Sequence, residues 1–357
     1  MDSASLLNPY EGPHLRLRNR IAMAPMTRGR ADDVTGVPHP LTKDYYAQRS
    51  GAGLIVTEGI WPNLEGKAGP GIPGLVTDAQ VEGWREVTSA VHAAGGTIFA
   101  QLWHVGRMTH PLTLPDGRRP VAPSPVRIES EPIFTREGLV DHVIPRALTT
   151  AEAEATIADL AAEARNAMRA GFDGVELHGA NGYLVQQFLG SNTNRRTDRF
   201  GEPTRFAIEA VEAVTAAVGA AKVGLRISPD NPENEIVEDD PQTTYRTLLR
   251  ALDPLGLAYL HVIERGRYPA LADLRPRWSG TLIGNYNGDE PTTREAGEEV
   301  VASGLADLFS FGRLFIANPD LPARFAGGVP LSTHDPALVY GGGAEGYVDY
   351  PSLEPAV

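Results

Sequence analysis

The stretch Gly174-Val175-Glu176-Leu177-His178-Gly179-Ala180-Asn181-Gly182-Tyr183 opens as a short apolar strand and closes in a glycine-relieved loop carrying His, Asn and Tyr. Reading outward from it, apolar runs of strand length recur along the chain with helical stretches between them. They lie at 21–26 (IAMAPM), 53–58 (GLIVTE), 97–103 (TIFAQLW), 174–178 (GVELH), 223–228 (VGLRIS), 259–263 (YLHVI), 280–284 (GTLIG) and 306–311 (ADLFSF). Between 151 and 170, Ile157, Leu160, Ala161, Ala164 and Met168 share one face at the helical period. Thr149 and Glu152 suit a capping box before that helix, and Gly171 ends it. Strands alternating with helices pair in parallel, and eight such units predict an α/β fold of the (β/α)8 TIM-barrel type. An open doubly wound sheet is the alternative.

With 357 residues, 42% hydrophobic and 22% charged, the chain suits one barrel domain over 1–357. Two regions fall outside the repeat. Residues 1–20 contain an alternating stretch from His14 to Arg18, expected as an N-terminal hairpin lid under the barrel. Residues 105–148 form a Pro- and Arg-rich excursion after strand three, too long for an ordinary loop and expected to cap the active-site face. The tail from 335, with Gly341 to Gly343 and three tyrosines, is expected to drape over the barrel top or pack against its side.

A net charge of −13 without a long basic run argues against nucleic-acid and anionic-membrane partners. No apolar run is long enough to span a bilayer and no secretory pattern opens the chain, so a cytoplasmic protein is expected. Zero cysteines exclude thiol nucleophiles, disulfides and iron–sulfur clusters. The nine histidines lack metal-ligand spacing, so no metal site is expected. Two matches to G-x-G-x-x-G, at 69–74 and 341–346, are poor dinucleotide fingerprints. The first carries prolines where a helix should start, and the second lies too near the C-terminus for a βαβ unit.

In such a barrel the active site is built at the C-terminal strand ends. That places Thr27, Gly59, Gln101, Trp103, His178, Asn181, Arg226, Gly284, Asn285, Gly312 and Arg313 on one face. His178 and Asn181 can aim N–H donors at one oxygen while Tyr183 offers a proton nearby, a layout for polarising a carbonyl. A strand-end histidine is also an ordinary core residue, Asn-Gly an ordinary turn, and Arg226 could pair with Glu176. The glycines and Arg313 after strands seven and eight suit a ligand phosphate, so a phosphate-bearing cofactor is expected. Gln101 and Arg226 favour a flavin over a small sugar phosphate, since an amide and a guanidinium can bind the N3, O2 and N1 edge of the ring.

These residues carry a resemblance. Ala24-Pro25-Met26-Thr27-Arg28, Gln101-Leu102-Trp103-His104-Val105-Gly106-Arg107, His178-Gly179-Ala180-Asn181-Gly182-Tyr183, Arg226-Ile227-Ser228-Pro229 and Phe311-Gly312-Arg313 with Asn318-Pro319-Asp320 are similar to the old yellow enzyme family. The resemblance implies an FMN-dependent ene-reductase that uses NADPH or NADH to reduce activated C=C bonds of unsaturated carbonyl or nitro compounds by ping-pong kinetics. It implies that Pro25, Met26, Thr27, Gly59 and Gln101 line the FMN ring, that Arg226 reaches its N1 and O2 edge, and that Asn285, Gly312 and Arg313 hold the phosphate. His178 and Asn181 would bind the substrate oxygen, Tyr183 would donate the proton, and Trp103 and Tyr340 would shape the substrate pocket. Thr27 matches the threonine-bearing subgroup. Members occur as monomers and homodimers. Nitro-ester reduction and amine dehydrogenation or demethylation are the alternative activities for the same barrel. The segments 229–240 and 265–277 carry no distinctive family pattern, and the run after Asp198 is shorter than the family's usual one.

Overall fold

A computed structural model describes residues 5–353. Eight parallel strands close into a barrel in chain order: β1 (Ile21–Met23), β2 (Leu54–Ile60), β3 (Ile98–Leu102), β4 (Gly174–Gly179), β5 (Val223–Ile227), β6 (Tyr259–Glu264), β7 (Leu282–Tyr286) and β8 (Leu308–Phe311). Closure comes from β8 pairing with β1 through Phe309↔Ile21 and Phe311↔Met23. The alternating pattern of strands and helices thus gives a barrel and not an open sheet. Most strand ends shift by one to three residues from the sequence reading, and two of the shifts have an evident cause. Strand β1 stops at Met23, two residues before Pro25, which has no N–H to donate to a ladder. Strand β7 runs on through Asn285 and Tyr286 because both pair with Ile263 and Glu264 of β6.

Side chains alternate across each strand, which divides the strand residues into two sets. Val175, Leu177, Leu225, Ile227, Leu260 and Val262 join the main apolar core. Ala22, Leu54, Val56, Phe99, Tyr259, Ile283 and Leu308 form a second cluster with Tyr10, Leu15 and Leu17. These last three belong to the N-terminal hairpin, in which Tyr10–Glu11 pairs antiparallel with Arg16–Leu17. Tyr10 is fixed further by a 2.8 Å hydrogen bond between its hydroxyl and that of Thr281. The expected lid is therefore an apolar plug packed on barrel-strand residues. Further buried strand positions carry polar groups, among them Gln101, Glu176, His178, Arg226, His261 and Ser310.

The helix Thr150–Arg169 starts at a complete capping box, in which Thr149 Oγ1 accepts from Glu152 N and the Glu152 carboxylate accepts from Thr149 N. Two reciprocal bonds satisfy donors that the first turn leaves free. The excursion after β3 contains a small hairpin, Ile133–Thr135 with Gly138–Val140, whose Ile133 and Phe134 wall a cavity at the barrel mouth. The C-terminal tail returns to the same region: Gly341 N donates to Arg28 O at 2.9 Å, and Tyr347 stacks on Tyr45 with centroids 4.3 Å apart. Neither G-x-G-x-x-G stretch opens a helix. Gly69 and Gly71 instead line the cavity, and Gly71, at φ +71°, has no room for a Cβ, which would lie 2.3 Å from Gly29 O.

Candidate active site

Two cavities open beside one another at the C-terminal ends of the strands. The smaller, about 210 Å³, is lined by Pro25, Met26, Asn181, Arg226, Asn285, Gly312 and Arg313 among others. The larger, about 600 Å³ and mainly apolar, takes Thr27, Trp103, Tyr183 and Tyr340, with Ile72 and Met108. Met26 and Thr27, neighbours in the loop after β1, face different cavities. Glu58 on β2 positions that loop, its buried carboxylate accepting from the N–H groups of Arg28 and Gly29 at 3.1 Å each.

Gly59, Gln101 and His178 line neither cavity directly. Gly59 lies against the indole of Trp103, and a Cβ there would come within 2.2 Å of Trp103 Cε3. Gln101 donates its Nε2 to Glu176 Oε1 at 2.9 Å, which leaves its Oε1 as an acceptor. His178 sits among aromatic rings, 5.0 Å from Tyr183 and 6.3 Å from Trp103 between centroids. Its Nδ1 accepts from Ala180 N at 3.3 Å. Burial, with repulsion from Arg226 and His261, pushes its pKa well down. The ring is consequently neutral with its proton on Nε2, a donor and not a charge. Tyr183 is shifted the other way, burial first and the nearby Glu233 charge next raising its hydroxyl pKa, so it keeps its proton. Asn181 adopts φ +54°, and its Oδ1 accepts from Asn231 Nδ2 at 3.1 Å.

Inside the barrel a hydrogen-bonded chain supports these groups. Glu176 Oε2 meets His261 Nδ1 at 2.8 Å, His261 Nε2 meets Ser310 Oγ at 2.8 Å, and Ser310 O accepts from Asn285 Nδ2 at 3.0 Å. Burial works to raise the Glu176 pKa, but His261, Arg226 and the Gln101 hydrogen bond outweigh it and hold the carboxylate ionised. Burial lowers His261, whose neutral ring then donates to Glu176 through Nδ1 and accepts from the Ser310 hydroxyl at Nε2. Arg226 does not hydrogen-bond Glu176. Its Nη2 reaches only Asn285 Oδ1, at 3.4 Å, and its Nε is buried without an acceptor.

An under-satisfied buried guanidinium at a cavity wall fits a ligand that brings its own acceptors, such as the N1 and O2 edge of a flavin. The phosphate end fits in part. Gly312 precedes the short helix Arg313–Ala317, and a Cβ at Gly312 would meet nothing closer than Met26 Sδ at 3.5 Å. The Arg313 guanidinium, however, donates to the carbonyls of Gly288 and Glu290 at 2.6 Å each and also to that of Asp289. As placed, it braces the loop after β7 and is not a free cation in the cavity.

The model of the NADH:flavin oxidoreductase / NADH oxidase family matches residues 5–332. The chain belongs to that family, the old yellow enzymes. Among its relatives, 12-oxophytodienoate reductase 7 of Oryza sativa subsp. japonica is 38% identical, with 98% of this chain and 95% of that protein covered. Morphinone reductase in complex with tetrahydroNAD superposes with a TM-score of 0.92 at 42% identity over 98% of each chain. The old yellow enzyme homologue from Zymomonas mobilis gives 0.93 at 37% identity, over 98% of this chain and 100% of that one. This old yellow enzyme is thus an NAD(P)H-dependent flavin oxidoreductase with FMN as cofactor and a nicotinamide as hydride donor. No helix among the described residues is long and apolar enough to cross a membrane, and among them no cluster of His, Cys, Asp and Glu could hold a metal.

Sequence reasoning overlooked His261, Ser310 and Asn231. A signal existed for the first two, since a histidine within YLHVI and a serine within LFSF interrupt strands that are otherwise apolar. Asn231 lies in a polar loop after β5 and has no such contrast.

Proposed function

We propose that this enzyme reduces the activated C=C bond of an α,β-unsaturated carbonyl or nitro compound. The observation that carries the reading is the pairing of a neutral His178, its Nε2–H left free by the Ala180 bond to Nδ1, with a proton-retaining Tyr183 beside it. His178 Nε2–H and Asn181 Nδ2–H bind the substrate oxygen and stabilise the negative charge that grows there. Neutral donors suit this task, because they stabilise the growing charge without changing their own protonation state. Tyr183 gives its proton to the α-carbon as hydride reaches the β-carbon. Pro25, Met26, Thr27, Gly59, Gln101 and Arg226 would hold the FMN ring, and Asn285 and Gly312 its phosphate end, to which Arg313 would turn only by releasing the carbonyls of residues 288–290. Bound FMN supplies the hydride relay from nicotinamide to alkene. Trp103 and Tyr340 line the larger cavity, which nicotinamide and alkene occupy in turn, hence ping-pong kinetics. Its apolar walls favour a weakly polar enone over a charged substrate.

The test uses the yellow holoenzyme without oxygen. NADH or NADPH bleaches the visible flavin band, and 2-cyclohexen-1-one then restores it with formation of cyclohexanone. Bleaching by a nicotinamide without recovery on addition of any unsaturated carbonyl or nitroalkene rejects the reading.

A further inference from the structure

Four of the five non-glycine residues with positive φ among the described residues gather at one corner of the mouth: Asn181, Asp230, Asn234 and Glu235. Left-handed backbone at such residues persists only where surrounding bonds hold it, and it concentrates at functional sites. Here the holding bonds are identifiable. Arg107, buried at 2% exposure on the excursion, donates to the carbonyls of Asn234 at 2.6 Å and Glu235 at 3.3 Å. Asn192 Nδ2 donates to the same Glu235 carbonyl at 2.7 Å. Asn234 Nδ2 donates to Asn181 O at 2.7 Å, and Asn181 N donates to Ser228 Oγ at 2.8 Å. The loop is closely packed, since a Cβ on Gly182 would lie 2.5 Å from Glu233 O.

Within this clamp, one sequence of hydrogen bonds has a direction. The backbone N–H of Glu233 donates to Asn231 Oδ1 at 3.1 Å. A backbone N–H can only donate, so the Asn231 amide must turn its oxygen toward Glu233 and its Nδ2 toward Asn181. That Nδ2 donates to Asn181 Oδ1 at 3.1 Å. The Asn181 amide is then oriented in turn, with its oxygen occupied and its Nδ2 left to donate. Asn231 is 1% exposed, so water does not compete for these positions.

We propose that Asn231 is a positioning residue that fixes the amide of Asn181 as a hydrogen-bond donor toward the substrate oxygen. The inference rests on the alkene-reductase reading of the site. It assigns a function to the loop after β5: the loop sets the polarity of one catalytic contact from outside the cavity. Asn231→Asp is nearly isosteric and still accepts from Glu233 N, but it presents an acceptor to Asn181. The Asn181 amide must flip to donate to it, turning its own oxygen toward the substrate oxygen. Asn231→Ala removes the guide and leaves Asn181 free to take either orientation. An orientation role therefore makes the conservative variant the worse one, whereas a packing role makes alanine worse.

The experiment compares wild-type, Asn231→Asp and Asn231→Ala holoenzymes, matched for flavin content and circular dichroism. The dissociation constant of 2-cyclohexen-1-one from the oxidised enzyme is measured by calorimetry without nicotinamide. Stopped-flow absorbance then follows flavin reduction by NADH or NADPH and reoxidation by 2-cyclohexen-1-one separately. Expected for Asn231→Asp are weaker enone binding and reoxidation slowed by about 10²-fold, with Asn231→Ala affected less. In an Asn181→Ala background, Asn231→Asp is expected to cause no further loss. Greater damage from alanine than from aspartate, wild-type rates in Asn231→Asp, or an independent loss in the Asn181→Ala background each overturns the proposal. Failure of 2-cyclohexen-1-one and of every other unsaturated carbonyl or nitroalkene to reoxidise the wild-type enzyme refutes the underlying alkene-reductase reading instead.

Discussion

Arg226→Met, alone and paired with Glu176→Gln, separates two effects that most substitutions combine. The guanidinium is 5% exposed, its Nε has no acceptor, and its one side-chain hydrogen bond is the 3.4 Å contact to Asn285. The Glu176 carboxylate is already engaged by Gln101 at 2.9 Å and His261 at 2.8 Å. Arg226 nevertheless helps to hold the buried Glu176 carboxylate ionised, and removing one member of a buried charge pair leaves the other uncompensated, at a cost of about 3–5 kcal/mol. In the holoenzyme the same guanidinium would bond the flavin edge, and loss of hydrogen bonds to a charged donor costs about 1.5–3 kcal/mol, or roughly 10- to 150-fold in affinity. Arg226→Met should therefore be less stable than wild type without flavin and bind FMN more weakly, whereas Arg226→Met/Glu176→Gln, which removes both charges, should recover most of the stability and none of the affinity. Urea unfolding of the flavin-free proteins measures the first quantity, and fluorescence titration with FMN the second. No recovery of stability in the double variant, or unchanged FMN affinity in Arg226→Met, would be the contrary result.

Two further substitutions probe packing and charge. Gly59→Ala places a methyl group 2.2 Å from Trp103 Cε3, whose ring lies edge-on to Tyr183 at 4.9 Å. Overpacking of that kind costs about 1–3 kcal/mol, and displacement of Trp103 should raise KM for 2-cyclohexen-1-one; unaltered urea midpoint and KM would contradict it. Glu163 is 1% exposed with both carboxylate oxygens unpartnered, and burial, then Asp159, raises its pKa well above 4.5. The folded protein then keeps a proton that the unfolded chain releases, so stability present below pH 4.5 is lost as pH rises toward the folded pKa. Glu163→Met removes the titration, and its stability advantage over wild type should grow by about 1.4 kcal/mol per pH unit over that window. Urea unfolding at pH 5 and pH 7 tests this, and an equal advantage at both values would be the contrary result.

The barrel was legible because each strand is a nearly unbroken apolar run and the units repeat in a fixed order. Strand ends were less so: Pro25 ends hydrogen bonding in β1 before its apolar run finishes, and β7 extends because β6 offers partners. At the site, the residues on strand ends were readable because strand polarity alone determines which end faces the mouth. Tyr340 lines the larger cavity from the tail, although it is 69% exposed. Sequence could not indicate that Arg313 would brace the carbonyls of residues 288–290, since those acceptors come from a loop more than twenty positions away. Nor could it reveal Asn231, whose importance depends on which way an amide faces, a property of the folded hydrogen-bond network and not of composition.

The central claim is that His178 and Asn181 together stabilise charge on the substrate oxygen. The most direct measurement is reoxidation of the nicotinamide-reduced holoenzyme by 2-cyclohexen-1-one in the His178→Ala/Asn181→Ala double variant, followed anaerobically at the flavin band. Each donor of this kind contributes about 10²–10³ in rate. The variant is expected to bind FMN as the wild type does, while enone reoxidation falls by at least about 10³-fold. Enone reoxidation at a rate near wild type would contradict it.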